Sequence, residues 1–145
     1  MTIKIQNKDL AIIYAFLGKL SLKSKKSRAR TRLSRLLEEK YREYAESTTE
    51  LQKQFAICDE DGNLVEDGDG LKWETPSNKI KFLSEKKELD DEEAVINCTE
   101  IMQQMNVLHE VLEKLDMALE GDDAIAYDVL CEGLENLTSK EEEEK

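Results

Sequence analysis

Apolar and polar residues alternate over TIKIQ, residues 2–6, which is the period of a strand with one buried face. Asn7 or Asp9 can cap a first helix through LAIIYAFLGKL. Leu10, Ile12, Ile13, Phe16, Leu17 and Leu20 make that helix apolar nearly all round, which puts it in the core. From about Lys25 to Phe55 the pattern is that of one long helix. Its stripe is Ala29, Leu33, Leu37, Tyr41, Tyr44, Thr48, Leu51 and Phe55, stepping by threes and fours, and such a stripe needs an antiparallel partner.

The rhythm then breaks. ICDEDGNLVEDGDGLKWETP places two Asp-Gly pairs, Asp61-Gly62 and Asp67-Gly68, between short apolar pieces. Asp-Gly supplies the positive φ of tight hairpin turns, so Phe55–Cys58, Leu64–Glu66 and Leu71–Glu74 are expected as the short strands of a meander. Asn78–Asp91 returns to a helical pattern with Ile80, Leu83 and Lys87 on one side, and Ala94–Cys98 is another strand. Thr99 can cap a helix whose seam is Ile101, Met105, Leu108, Leu112, Leu115 and Leu119, with Gly121 as its stop. A last helix, capped by Asp122, carries Ile125, Val129, Leu130, Leu134 and Leu137 inward. The fold class is therefore α+β, mainly α: a helical hairpin or bundle with a small inserted β-meander. The expected organisation is one domain over 1–138, divided into a basic helical half (1–57), a small acidic β insert (58–98) and C-terminal helices (99–138). Residues 139–145 follow as a solvated, fraying acidic tail.

Charge changes this picture. The chain carries a formal net charge of −12, yet residues 1–57 hold 13 Lys or Arg against 6 Asp or Glu, and residues 58–145 hold 8 against 27. SLKSKKSRARTRLSRL, residues 21–36, has seven cations and no acid. In the first turns of a helix such cations oppose the macrodipole, so local stability does not account for them. Lys25, Lys26, Arg28, Arg30, Arg32 and Arg35 are a candidate basic binding surface. No aromatic interleaves them between Phe16 and Tyr41, and the overall field repels phosphate, so direct nucleic-acid binding is disfavoured against an acidic protein partner or the chain's own acidic half. Asp59, Glu60, Asp61, Glu66, Asp67 and Asp69 form a candidate acidic patch; Glu88 with Asp90 to Glu93 forms another.

The chemistry of catalysis is poorly represented. There is no GxSxG, P-loop or GxGxxG motif. DEDGN at 59–63 opens like a calcium loop, but its position 6 is Leu64 and its position 12 is Gly70, so a hairpin turn is expected instead. His109 is the only histidine and sits beside the seam; Cys58, Cys98 and Cys131 are scattered, with no CxxC. These read as a structural histidine and three buried or half-buried thiols, and Met102, Met105 and Met117 as core filler. No enzyme activity, cofactor or metal is expected.

IQNKDL at 5–10, KSRARTRLSRLLE at 26–38, CDEDGNLV at 58–65, EEAVINCTE at 92–100 and GDDAIAYDVLCEGLE at 121–135 carry a resemblance. In that order they resemble a family of small phage and prophage proteins of Gram-positive bacteria that carry a domain of unknown function. The resemblance implies a phage setting and a mainly helical α+β fold, and it transfers no site residues. With no run of about 18 apolar residues and no signal pattern in MTIKIQNKDL, the expected place is the host cytoplasm, with no membrane association and with virion association left open. The expected function is non-enzymatic: an acidic protein that binds a host or phage protein, as an inhibitor or modulator of a nucleic-acid-handling defence protein. The alternative is a structural or assembly factor of the phage tail or virion, in which homo-oligomers form.

Overall fold

The computed structural model describes residues 1–144, and the side chains of residues 1–137. In chain order the elements are β1 (Thr2–Gln6), α1 (Leu10–Lys19), α2 (Ser24–Phe55), β2 (Glu66–Asp67), β3 (Gly70–Leu71), α3 (Pro76–Asp91), β4 (Glu93–Asn97), α4 (Met102–Glu113) and α5 (Asp122–Glu144). The fold is α+β, mainly α, as the sequence pattern implies. Two compact units are distinguished: residues 1–41 with 93–145, and the continuous segment 42–92. β4 belongs to the first unit because it pairs with β1. The solvated tail expected over 139–145 lies outside the described side chains; the α5 backbone continues to Glu144.

In the first unit, β1 and β4 pair antiparallel from Thr2↔Asn97 to Gln6↔Glu93. The alternation of β1 turns Ile3 and Ile5 inward, where they meet Ile96 of β4 in a buried layer with Leu10, Ile13, Phe16 and Leu17 of α1. Helix α5 comes so close to β1 that a Cβ on Gly133 would stand 2.8 Å from Cγ2 of Ile3, so only glycine fits there without a shift. α2 contributes Ala29, Leu33 and Leu37, all fully buried. Its expected stripe does not continue: Tyr41 is 45% exposed, and Tyr44, Thr48, Leu51 and Phe55 are only half-buried.

α4 and α5 depart from the expected pattern. The capping residue before α4 is not Thr99, which begins a 3₁₀ turn; its N–H is held by Asn97 Oδ1 at 3.0 Å. α4 stops at Glu113, short of Leu115 and Leu119, and the Tyr127 hydroxyl donates to the Leu112 carbonyl at 2.9 Å. That bond satisfies one of the acceptors a helix end leaves open. Gly121, with φ of 57°, introduces α5 rather than closing α4. Along α5 the buried line is Ala126, Leu130, Leu134 and Leu137. Ile125 turns outward at 49% exposure, as does Met117 at 41%.

The segment 42–92 is built on two hairpins. Cys58 bridges Leu64 and Ala56 bridges Trp73, while Val65 N–H bonds the Ile57 carbonyl and Lys72 N–H bonds the Val65 carbonyl, giving the expected meander. Thr75 caps α3 by accepting from Asn78 N–H at 3.2 Å, with Pro76 at the first helical position where its missing donor is harmless. The inward face of α3 is not the expected one. Phe82 is buried against Trp73 (ring centroids 5.2 Å apart), whereas Ile80 and Leu83 are 67% and 54% exposed.

Candidate functional site

The first acidic hairpin is locked by its own leading residue. Asp59 Oδ1 accepts from Asp61 N–H at 2.9 Å and Asn63 N–H at 3.0 Å, while Asp59 N–H meets the Asn63 carbonyl at 2.8 Å. Gly62 supplies the left-handed step with φ of 82°. This is the side-chain-to-backbone turn that aspartate favours. The second hairpin crosses from β2 to β3 with Asp67 opposite Gly70, and Gly68 at φ of 68° takes the first central position, as a II′ turn requires. All six carboxylates of the patch, Asp59, Glu60, Asp61, Glu66, Asp67 and Asp69, are exposed on these turns.

The second acidic candidate divides in two. Asp90 is drawn inward: the Tyr44 hydroxyl and Lys86 Nζ both donate to its Oδ1, and Lys86 Nζ also reaches Tyr44 Oη at 2.6 Å. The ammonium lies 4.7 Å from the Tyr44 ring centroid, a cation–π contact. Burial acts to raise the Asp90 pKa, but the hydrogen bonds from Lys86 and Tyr44 outweigh it and hold the carboxyl below its ordinary value. Burial also works against the Lys86 charge, and Asp90 and Tyr44 reverse that effect, so the ammonium is held above its ordinary range. Asp91 pairs with Lys87 at 2.9 Å. Glu88, Asp91 and Glu92 instead line, with Glu50 and Glu85, a groove of about 790 Å³ beside Leu51 and Leu89; no lysine or arginine lines it.

The basic block is only partly a surface. Lys25, Lys26, Arg28 and Arg35 are exposed, and Arg32 is half-buried. Arg30 is turned to internal use: its guanidinium donates to the Leu20 carbonyl, to the Leu17 carbonyl at 3.3 Å and to Ser27 Oγ at 3.1 Å. A cation on the last carbonyls of α1 is favourable for the macrodipole of that helix, which accounts for one arginine that its own helix does not explain.

One feature escaped the sequence pattern. Tyr14 of α1 and Tyr41 of α2 line, with Ala11 and Glu38, an apolar cavity of about 330 Å³. It adjoins a cavity of about 350 Å³ that shares Tyr14 and Glu38 and is closed by Gly18, Arg30 and Arg35. The aromatics missing from the basic block in sequence thus stand beside it in space. The signal was the four-residue step from Leu37 to Tyr41, which a helical stripe accommodates inward or outward.

The single histidine and the cysteines offer no assembled chemistry. His109 Nε2 is buried with Glu113 Oε1 3.3 Å away, outside hydrogen-bond geometry. Burial pushes the Cys98 thiol up to about 11, which keeps it protonated and unreactive; Cys58 and Cys131 are half-buried. Among the described residues no three His, Cys, Asp or Glu side chains converge to hold a metal ion. Among them, too, no helix is long and apolar enough to cross a membrane.

No curated protein and no solved structure matches the chain at a significant level. A family described as Protein of unknown function (DUF1617) matches residues 1–143, from β1 into the last turns of α5, and the chain belongs to that family.

Proposed function

We propose that this is a phage-encoded, non-enzymatic protein that binds a basic surface of another protein, with the meander carboxylates as the contact. The phage setting rests on the sequence resemblance, and the partner class on charge. The observation that carries the reading is the pair of rigid turns that hold all six exposed carboxylates within eleven residues. Their mutual repulsion is relieved when cations meet them, which favours a partner whose groove normally receives phosphate. The target class is therefore a nucleic-acid-handling protein of host or phage, and the effect is inhibition by occupancy.

The test is affinity capture from infected and uninfected host cells, followed by binding measurements on the purified partner. The comparison variant replaces Asp59, Asp61, Asp67 and Asp69 with Asn. Asparagine at 59 can still accept from Asp61 and Asn63 N–H, so the turn is kept while its charge is removed. Binding should weaken at least about tenfold and lose most of its salt dependence, since screening shortens from about 10 Å at 0.1 M to about 3 Å at 1 M salt. Unchanged affinity and unchanged salt dependence would remove the meander from the contact.

A further inference from the structure

The unit formed by 1–41 and 93–145 carries a groove and, elsewhere on its surface, a helix face of matching chemistry. The groove runs between α1 and α2. Its apolar end is Ala11, Tyr14 and Tyr41, and its cationic end is Arg30 and Arg35. Tyrosine and arginine are the side chains most enriched where proteins bind proteins. Gly18 lies at the cationic end in helix α1, where glycine costs about 1 kcal/mol against alanine. A Cβ there would meet nothing within 4 Å, and its φ is not left-handed, so neither packing nor backbone conformation within the chain requires glycine. What the missing side chain provides is an open floor for an approach from outside.

The groove's charge selects the occupant. Arg30 and Arg35 line its cationic end, and Arg30 keeps its charge while bonded to the neutral Leu17 and Leu20 carbonyls, so the occupant is acidic. Glu38 lines both cavities. A phosphodiester running from the tyrosines to the arginines would pass this carboxylate, which disfavours nucleic acid. A peptide helix places charge only where its side chains put it.

The outer face of α5 has that arrangement. Asp122, Ile125, Asp128 and Glu132 are all exposed and follow one another by threes and fours, so one aliphatic anchor stands among three acids on a single helix face. Ile125 and Glu132 are seven residues apart, a rise of about 10 Å, the same as from Ala11 to Gly18 along α1. We propose that the α1–α2 groove receives the outer face of α5 from a second copy of this chain. Ile125 enters the Tyr14–Tyr41 end, Asp128 meets Arg35, and Glu132 meets the Arg30 end. The contact is heterologous: it joins two different patches and therefore propagates or closes into a ring. Self-association of this kind is also what a role in particle assembly requires. The inference is independent of the meander, whose residues lie in 42–92.

The experiment is sedimentation equilibrium on the full chain at low and high salt, with three variants. The intact protein should self-associate at tens of micromolar in low salt and dissociate in 1 M salt. Ile125→Ser and Arg35→Glu change exposed side chains on different helices, and each should weaken association about tenfold or more while circular dichroism stays unchanged. Asp128→Arg should do the same alone, and mixing it with Arg35→Glu should recover a complex, because the first variant keeps an intact groove and the second an intact α5 face. A monomer at about 100 µM in low salt would overturn the proposal. So would association that persists in both Ile125→Ser and Arg35→Glu, or reversed variants that fail to recover one another. The meander Asn variant should self-associate like the intact protein, which separates this outcome from failure of the partner-binding reading.

Discussion

Asp90 shows how much one side chain can depend on two neighbours. It is 29% exposed and Lys86 23%, so water screens the pair only in part. Charge-assisted hydrogen bonds contribute about 1.5–3 kcal/mol when well shielded, and partial exposure reduces this to about 1–2 kcal/mol here. Because the folded-state pKa of Asp90 is depressed, its contribution is fully present above the ordinary value of 3.8 and is lost as pH falls through the lower folded value. Lys86 has the opposite sign: its contribution is present below 10.5 and is lost as pH rises through the raised folded value. Asp90→Asn should therefore lower stability by about 1–2 kcal/mol at pH 7 in denaturant titrations, with the difference from the intact protein shrinking below pH 3.8. An equal difference at pH 7 and at the lowest pH would mean that the asparagine fails for reasons of packing.

At the scale of elements, the boundary between α4 and α5 is decided by a single hydroxyl and a glycine rather than by propensity. KLDMALE, residues 114–120, contains nothing that stops a helix, and the heptad-like seam continues through Leu115 and Leu119. The chain leaves the helix at Glu113 all the same, with Tyr127 of α5 donating to the Leu112 carbonyl while its ring packs edge-on against Phe16 at 6.2 Å. Tyr127→Phe keeps the ring and removes only the donor. It should cost about 1 kcal/mol and speed amide exchange at the α4 C-terminus, read by hydrogen exchange with mass spectrometry. Such tertiary contacts mark where the sequence stops being legible. β1, α1, α2 and the hairpins follow from period and from Asp-Gly chemistry, which are local. The α3 face is hidden because the inward Phe82 is followed along that face by the polar Lys86 and Asp90, which leaves Ile80 and Leu83 as the more evident aliphatic pair. The acidic turns were visible as a charge run. The Tyr14–Tyr41 cavity was not, because its walls come from two helices.

For the whole molecule, the distribution of buried residues divides stability unevenly. Phe82 is the one residue of 42–92 among the buried hydrophobics, whereas 1–41 and 93–137 supply all the others. Each fully buried aliphatic or aromatic side chain is worth about 1.5–3 kcal/mol against exposure. The segment 42–92 should therefore open at lower free energy than the unit around α1 and α5. Native-state hydrogen exchange should find the slowest amides in α1, α4 and α5 and clearly faster ones in β2, β3 and α3. Slowest exchange in α3 would mean that the Trp73–Phe82 and Tyr44–Lys86–Asp90 contacts are stronger than their burial indicates.

The pairing of β1 with β4 bears on how the protein is made. Thr2 finds its partner at Asn97, so β1 leaves the ribosome some ninety residues before the strand that completes it. At translation speeds of about 5–20 residues per second, Ile3 and Ile5 wait roughly 5–20 s without their sheet partner. During that interval the hairpins and α3, whose contacts lie close together in sequence, can already form. The nascent chain therefore carries an apolar strand with an open edge while its middle is folding. An open apolar strand edge is prone to pair with other chains, so expression at lower temperature should raise the soluble yield of any variant that weakens β4.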